Sequence, residues 1–418
     1  MQSETLSTFT RCKKKETTTP SKTTKGGSTL SGILLIGGTS VGAGMLALPV
    51  VTGIAGFLPA MFVNTLCWLF MLATGLLLLE VTLWMEDGAN FLSMAKKFLG
   101  PIGQWIVGGS FVFLYYCLLV AYISGGTPLL TDAIKNNIHL EITGIPGYLL
   151  FASVFGFIIY FGHKAVDRVN WVLMISLILS YFLLVSVGST EVVTKFLSRS
   201  EWGLTLVAAP ILFSAYGYHN IVPSISSYLK RDVSKLRLAI IGGTAIPFIV
   251  YSLWQWMIVG SIPQEEIATA AANGIPITQT LQEVTGNSLV GVLGGYFGFF
   301  ALVTSFLGVS LSMVDFFADG LQISREGFNR FRLCLLVFLP PAVFAALNPG
   351  IFIEALGIAG GFGEAILNGL VPIAMVWVGR YHLKLGSEYR LPGGRPLLVA
   401  LALFTFLIMG IETKHLFF

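Results

Sequence analysis

Residues 37–49 read GGTSVGAGMLALP: four glycines, one proline and no charge, inside a long apolar run. No charged residue occurs between Lys25 and Glu80, a length sufficient for two membrane crossings at about 20 residues each. Glycine in a helix interior costs up to about 1 kcal/mol relative to alanine, and proline lacks the N–H that the preceding turn needs. The stretch therefore predicts a membrane helix that opens near its middle. In a bilayer such an opening is tolerated only against other protein or a water-filled cavity, because lipid offers the backbone no partner.

Only 11% of the 418 residues are charged and 55% are hydrophobic, against about a quarter charged in soluble proteins. The chain is read as an all-α polytopic membrane protein, since helices satisfy their backbone within one segment. Hydropathy places eleven transmembrane helices at 31–57, 58–84, 104–126, 145–162, 169–189, 203–228, 237–261, 288–316, 333–347, 351–379 and 396–414. With the N-terminus inside, only Lys135, Lys195, Arg199 and Lys414 of the 25 Lys and Arg fall in outside segments, the bias that orients membrane proteins. The net charge of +4 follows this topology and calls for no nucleic-acid partner. Residues 1–30 lack a core-forming pattern and read as a disordered cytoplasmic tail, too polar for a signal peptide. Cys12, Cys67, Cys117 and Cys334 show no disulfide or metal spacing, so no metal site is expected.

The sixth span contains a second irregular stretch, ILFSAYGYHNIVPSI at 211–225. Placing Pro49 on Pro223 sets Gly42-Ala43-Gly44-Met45 against Tyr216-Gly217-Tyr218-His219, an offset of 174 residues. The same offset carries spans one to five onto six to ten. It gives a first five-helix repeat at 31–189, a second at 203–379 and an eleventh helix at 396–414. With five helices per unit, the second copy starts on the opposite face of the membrane, so the repeat is inverted. Helices interrupted at corresponding positions point to a transporter's site: amides opening the following half-helix attract an anion, and carbonyls ending the preceding half attract a cation. An amino acid zwitterion carries both charges. Taken alone, Gly38 and Gly42 also fit the small-residue pattern of close helix packing; the matched second interruption favours the site. No Gly-Lys-Ser/Thr follows, which argues against a phosphate loop.

On these motifs the sequence resembles the hydroxy and aromatic amino acid permeases, the tyrosine and tryptophan transporters of the amino acid permease superfamily. GGTSVGAGMLALPVVTG looks like the family's first-helix motif, GLLLLEVTLWM its second-helix ending and AVDRVN its fourth loop. FSAYGYHNIVPSISSY and TSFLGVSLSMVDFFADGL are similar to its sixth- and eighth-helix motifs. One departure is Thr82, where the family often has Asn two positions after the glutamate. The resemblance implies a LeuT-like inverted-repeat carrier in the bacterial cytoplasmic membrane, importing an aromatic amino acid with protons. Tyrosine is the first expected substrate and tryptophan the second, with no cofactor and no obligate protein partner. Gly42, Ala43, Gly44 and Met45 would meet the amino acid's charged ends, and Tyr216, Gly217 and Tyr218 would complete the site.

An aromatic substrate also needs a flat slot, and stacking on a ring is worth about 0.5–1.5 kcal/mol beyond area burial. Tyr115 and Tyr116 in the third span and Tyr216 and Tyr218 at the second break are the candidates; Phe299 and Phe300 are weaker ones, because 32 phenylalanines make packing the ordinary role. For coupling, charge inside a bilayer costs at least about 2.5–3.5 kcal/mol at a helix centre, so buried ionisable residues are functional candidates. His219 lies near the second break, where it either exchanges a proton or satisfies a freed carbonyl. Glu364 falls near the centre of the tenth span, and Glu80 close to the membrane boundary as a salt-bridge partner or coupling acid. Thr304 and Ser305 stand where sodium-coupled relatives of this fold place hydroxyl ligands, although such hydroxyls more often bond their own preceding carbonyls. Protons are thus the expected coupling ion and sodium the alternative. Asp315 and Asp319 precede Arg325, Arg330 and Arg332 and read as a charge cluster or inner gate.

Two rival classes fare worse. A channel calls for a continuous polar stripe, and here the polar residues are isolated points. An intramembrane enzyme would rest on Ser40 with His219, which lacks an orienting third group, or on His163 with Asp167, whose spacing is only faintly suggestive.

Overall fold

The computed structural model describes residues 27–273 and 275–417. The expected disordered tail lies, up to residue 26, outside the described residues. The first span is two helices, α1 (Thr29–Ser40) and α2 (Gly44–Thr52). Ser28 caps α1, its side chain accepting from Ser31 N at 3.1 Å. Val41 leaves the helical region at φ −72°, ψ 108°, and the axis bends by 60° across the break. The break spans Val41, Gly42 and Ala43, one residue earlier than the expected Gly42–Gly44, because Gly44 already opens α2.

Next come α3 (Phe57–Leu83), α4 (Phe91–Ile138), α5 (Ile145–Tyr160) and α6 (His163–Gly188). In α4, Gly100 has φ 73°, a conformation that suits glycine, and Pro101 restarts the helix after it. The second interrupted span has α7 (Ala209–Ala215), a break at Tyr216–Tyr218, a short 3₁₀ turn and α8 (Val222–Tyr228). Pro223 sits in the first turn of α8, where its missing N–H removes no helical bond. Then follow α9 (Val233–Ser261), α10 (Ser288–Leu321), α11 (Gly327–Leu347), α12 (Phe352–His382) and α13 (Gly394–Phe417). From Ala359 to Leu370, α12 widens to π-helical winding, a form frequent at functional sites.

Among the described residues, eight helices are long and apolar enough to cross a membrane, or nine with the bent α1–α2 pair as one span. The expected spans at 145–162 and 203–228 are a 16-residue helix and a set of short pieces. Length and composition alone therefore do not reach the expected eleven. The α1 helix packs along α9, and α10 lies against both α4 and α6. Gly37 belongs to the first contact: a Cβ there would stand 2.9 Å from Ile246 Cδ1 and 3.2 Å from Gly243 O. It is a packing residue rather than part of the break.

Candidate functional site

Both breaks leave helix-end carbonyls and amides that lipid cannot satisfy, and neighbouring side chains take up several of them. Tyr251 Oη, on α9, lies 2.6 Å from the carbonyl of Ser40, the last residue of α1, and 2.9 Å from that of Ala215, the last of α7. Trp254 Nε1, one turn on, donates to Met45 O at 2.9 Å. Ala43 N donates to Ser305 Oγ of α10 at 3.1 Å. The two broken spans also touch directly, since a Cβ on Gly44 would stand 2.9 Å from Ala215 Cα.

A cavity of about 290 Å³ opens at this junction. Ser40, Gly42, Ala43 and Gly44 line it from the first break, and Ala215, Gly217 and Asn220 from the second. Glu364 and Asn368 of α12 close one side; Glu364 is 5% exposed and accepts from Asn368 Nδ2. A Cβ on Gly217 would collide with Glu364 Oε1, so this glycine lets a carboxylate lie against the broken backbone. Glu364 is in none of the ion pairs among the described residues. On another side stand Tyr115, Phe111 and Phe316, with ring centroids 4.0 Å apart for the first pair and 4.5 Å for the second, nearly parallel in both. The cavity extends from the breaks to Asn90 and Phe91, at the loop between α3 and α4. It thus offers the main chain of two helix breaks, one carboxylate and a stack of three aromatic rings, the groups that a zwitterion with an aromatic side chain needs.

Of the expected site residues, Gly42, Ala43, Gly44, Tyr115, Gly217, Ser305 and Glu364 line this cavity. Others do not. Tyr216 and Tyr218 are 1% exposed and turn into α3, donating to Asn64 Oδ1 at 2.8 Å and Met71 O at 3.1 Å. The expected stacking of these two rings on a ligand is corrected accordingly: a phenol in an apolar bundle must find an acceptor, and α3 supplies both. Tyr116 lies about 100° around α4 from Tyr115 and donates to Leu336 O of α11 at 2.8 Å. Met45 is fully buried and does not line the cavity, and its carbonyl accepts from Trp254 Nε1. Phe299 and Phe300 pack on one another and do not line the cavity.

His219 is fully buried outside the cavity, with Nε2 2.9 Å from Thr74 Oγ1 of α3. Glu80 is fully buried and ion-paired to Arg380, its salt-bridge role. Thr304 donates back to Phe300 O at 2.8 Å and Ala301 O at 3.1 Å. Asp315 pairs with His163 and Arg325, both at 3.2 Å, and Arg325 also with Asp319; of the expected cluster Arg330 instead donates to Ile159 O and Arg332 lies over the Phe328 ring.

Sequence reading missed Tyr122, Phe111, Phe316, Asn220, Asn368 and Tyr251. For α4 the signal was present: 111, 115, 118 and 122 follow the i, i+4, i+7 spacing of one helical face, which excludes 116. Asn368 likewise sits four residues after Glu364. Tyr251 carried no local signal, because its two acceptors are 211 and 36 residues away.

A chain with two broken spans around a cavity that holds a few polar groups in an apolar bundle is a multi-pass membrane carrier in architecture. It belongs to the tryptophan/tyrosine permease family, which it matches over residues 25–412. It is 31% identical to the tryptophan-specific transport protein of Pseudomonas aeruginosa, over 90% of this chain and 92% of that one. Against the tyrosine-specific transport system 2 of Haemophilus influenzae the identity is 33%, over 91% and 95%. The fold is similar to that of MhsT, solved in complex with L-phenylalanine: TM-score 0.62 at 14% identity, covering 91% of this chain and 98% of that one. The protein is a permease, not an enzyme, and its fold is the inverted-repeat fold with both interrupted helices.

Proposed function

We propose that this protein imports an aromatic amino acid, tyrosine first and tryptophan second, by proton symport with alternating access across the bacterial cytoplasmic membrane. Its N-terminus is cytoplasmic, and residues 31–189 and 203–379 form the two repeats. The observation that carries the reading is the placement of the Glu364 carboxylate against Gly217, inside a cavity also walled by the first break. The two breaks take the carboxylate and ammonium through main-chain groups, and the Tyr115–Phe111–Phe316 wall takes the ring. A carboxylate without a cationic partner in this setting is the natural proton carrier, because protonation removes a buried charge. The relatives named for tyrosine and for tryptophan support the substrate class. The cavity reaches Asn90 and Phe91, on the side assigned to the cytoplasm.

The test is uptake of labelled tyrosine and tryptophan into proteoliposomes, competed by a panel of amino acids, at two pH values with and without sodium. Uptake driven by an inward proton gradient and indifferent to sodium is expected, with tyrosine the stronger competitor. Uptake that follows sodium and ignores pH would move the coupling role from Glu364 to the hydroxyls of Thr304 and Ser305 and sink the proton assignment.

A further inference from the structure

Tyr251 is fully buried and does not line the cavity, yet its hydroxyl contacts the terminal carbonyls of both half-helices. Its position is over-determined. Its ring packs edge-on against Tyr216 with centroids 5.2 Å apart, and Tyr216 is itself anchored to Asn64. A phenol has one proton to donate, and a carbonyl oxygen has two lone pairs. The contact therefore holds the two oxygens together while leaving each with accepting capacity. Ser40 and Ala215 both line the cavity, and both end a helix, where the dipole favours a cation. Without a tether, two independent backbone ends separated by 175 residues of chain would have to be ordered by the ligand itself, at an entropic cost to binding.

We propose that Tyr251 is the positioning residue for the ammonium end of the site: by pinning the Ser40 and Ala215 carbonyls to one hydroxyl, it makes the two half-helix ends act together on a ligand's primary ammonium. The inference rests on the reading of the cavity as an amino acid site. It predicts a specific kind of loss, confined to ligands that carry the amine.

The experiment measures equilibrium binding of tyrosine and of its des-amino analogue 3-(4-hydroxyphenyl)propionate to the purified full-length protein, wild type and Tyr251→Phe. Releasing the two carbonyls costs the ligand's ammonium one well-made bond, which predicts a fall in tyrosine affinity of about tenfold or more, with the analogue's affinity unchanged. Tyr251→Gln, which restores an N–H donor, should recover part of the preference for the amine. If Tyr251→Phe weakens both ligands equally, or neither, the positioning role is overturned. Should the Phe variant fail to fold, the Gln variant decides by the same ratio of affinities. Wild-type protein that binds no aromatic amino acid would overturn the transport reading itself, and is told apart because it fails before any variant is compared.

Discussion

Glu80 and Arg380, 300 residues apart in the chain, form a buried bidentate ion pair: Arg380 Nε is 2.8 Å and Nη2 2.5 Å from the two carboxylate oxygens. Leu391 N donates to the same carboxylate at 3.2 Å, and Arg380 Nη2 donates to Leu391 O at 3.0 Å. The pair fastens α3 to the end of α12 and to the loop before α13. Breaking one partner leaves the other charge buried and alone, which costs about 3–5 kcal/mol. Glu80→Ala should therefore lower the thermal unfolding midpoint clearly, while substrate affinity of the folded fraction stays at the wild-type value. A lost affinity with an unchanged midpoint would reverse this assignment.

A Cβ on Gly217 would stand too close to Glu364 Oε1, a contact that the carboxylate must move to relieve. Gly217→Ala is expected to push the carboxylate away from the break and to weaken binding of the transported amino acid by at least about tenfold, or about 1.4 kcal/mol. Insertion and elution as a folded species should persist. Isothermal titration beside size-exclusion chromatography reads both. Gly44→Leu is expected to act more severely, since Ala215 backbone stands against it.

Glu364→Gln keeps the shape and the contact with Asn368 but removes the proton-exchanging group. The expected outcome is retained counterflow exchange with loss of accumulation driven by a proton gradient. Normal gradient-driven accumulation by this variant would be incompatible with Glu364 as the coupling acid.

His219 is placed as a bridge from the second break to Thr74 on α3, away from the cavity. Its substitution by Gln, which can keep that bond, should leave proton-driven accumulation within about twofold of wild type, a difference below about 0.5 kcal/mol. Thr74→Val removes the partner and leaves buried polar atoms unsatisfied, so it should destabilise by about 1–3 kcal/mol. A reversed order of severity in transport assays would return His219 to the coupling machinery.

Much of the architecture was legible because membrane physics writes it into local sequence. Apolar runs marked most of the membrane-crossing helices, and the glycines of 37–49 with their counterpart at 211–225 located both breaks. Gly42, Ala43, Gly44 and Gly217 line the cavity as expected, since a helix that opens must expose its own backbone where it opens. The side-chain assignments fared unevenly. Tyr115 faces the cavity and Tyr116 does not, a distinction of one residue that helical spacing alone contained. Tyr216 and Tyr218 sit at the break, yet their rings are claimed by acceptors on α3 that no local pattern reveals.

The sequence by itself determined that the chain lives in a membrane, that two of its helices are interrupted, and which glycines interrupt them. These follow from backbone hydrogen bonding in lipid, a constraint that acts within each segment. Only the tertiary structure decided that Glu364 meets Gly217, that Glu80 belongs to Arg380, and that one tyrosine hydroxyl joins Ser40 to Ala215. Those relationships depend on how separate helices pack, and the direction in which a polar side chain finds its partner is fixed by the partner's position rather than by its own neighbours in the chain.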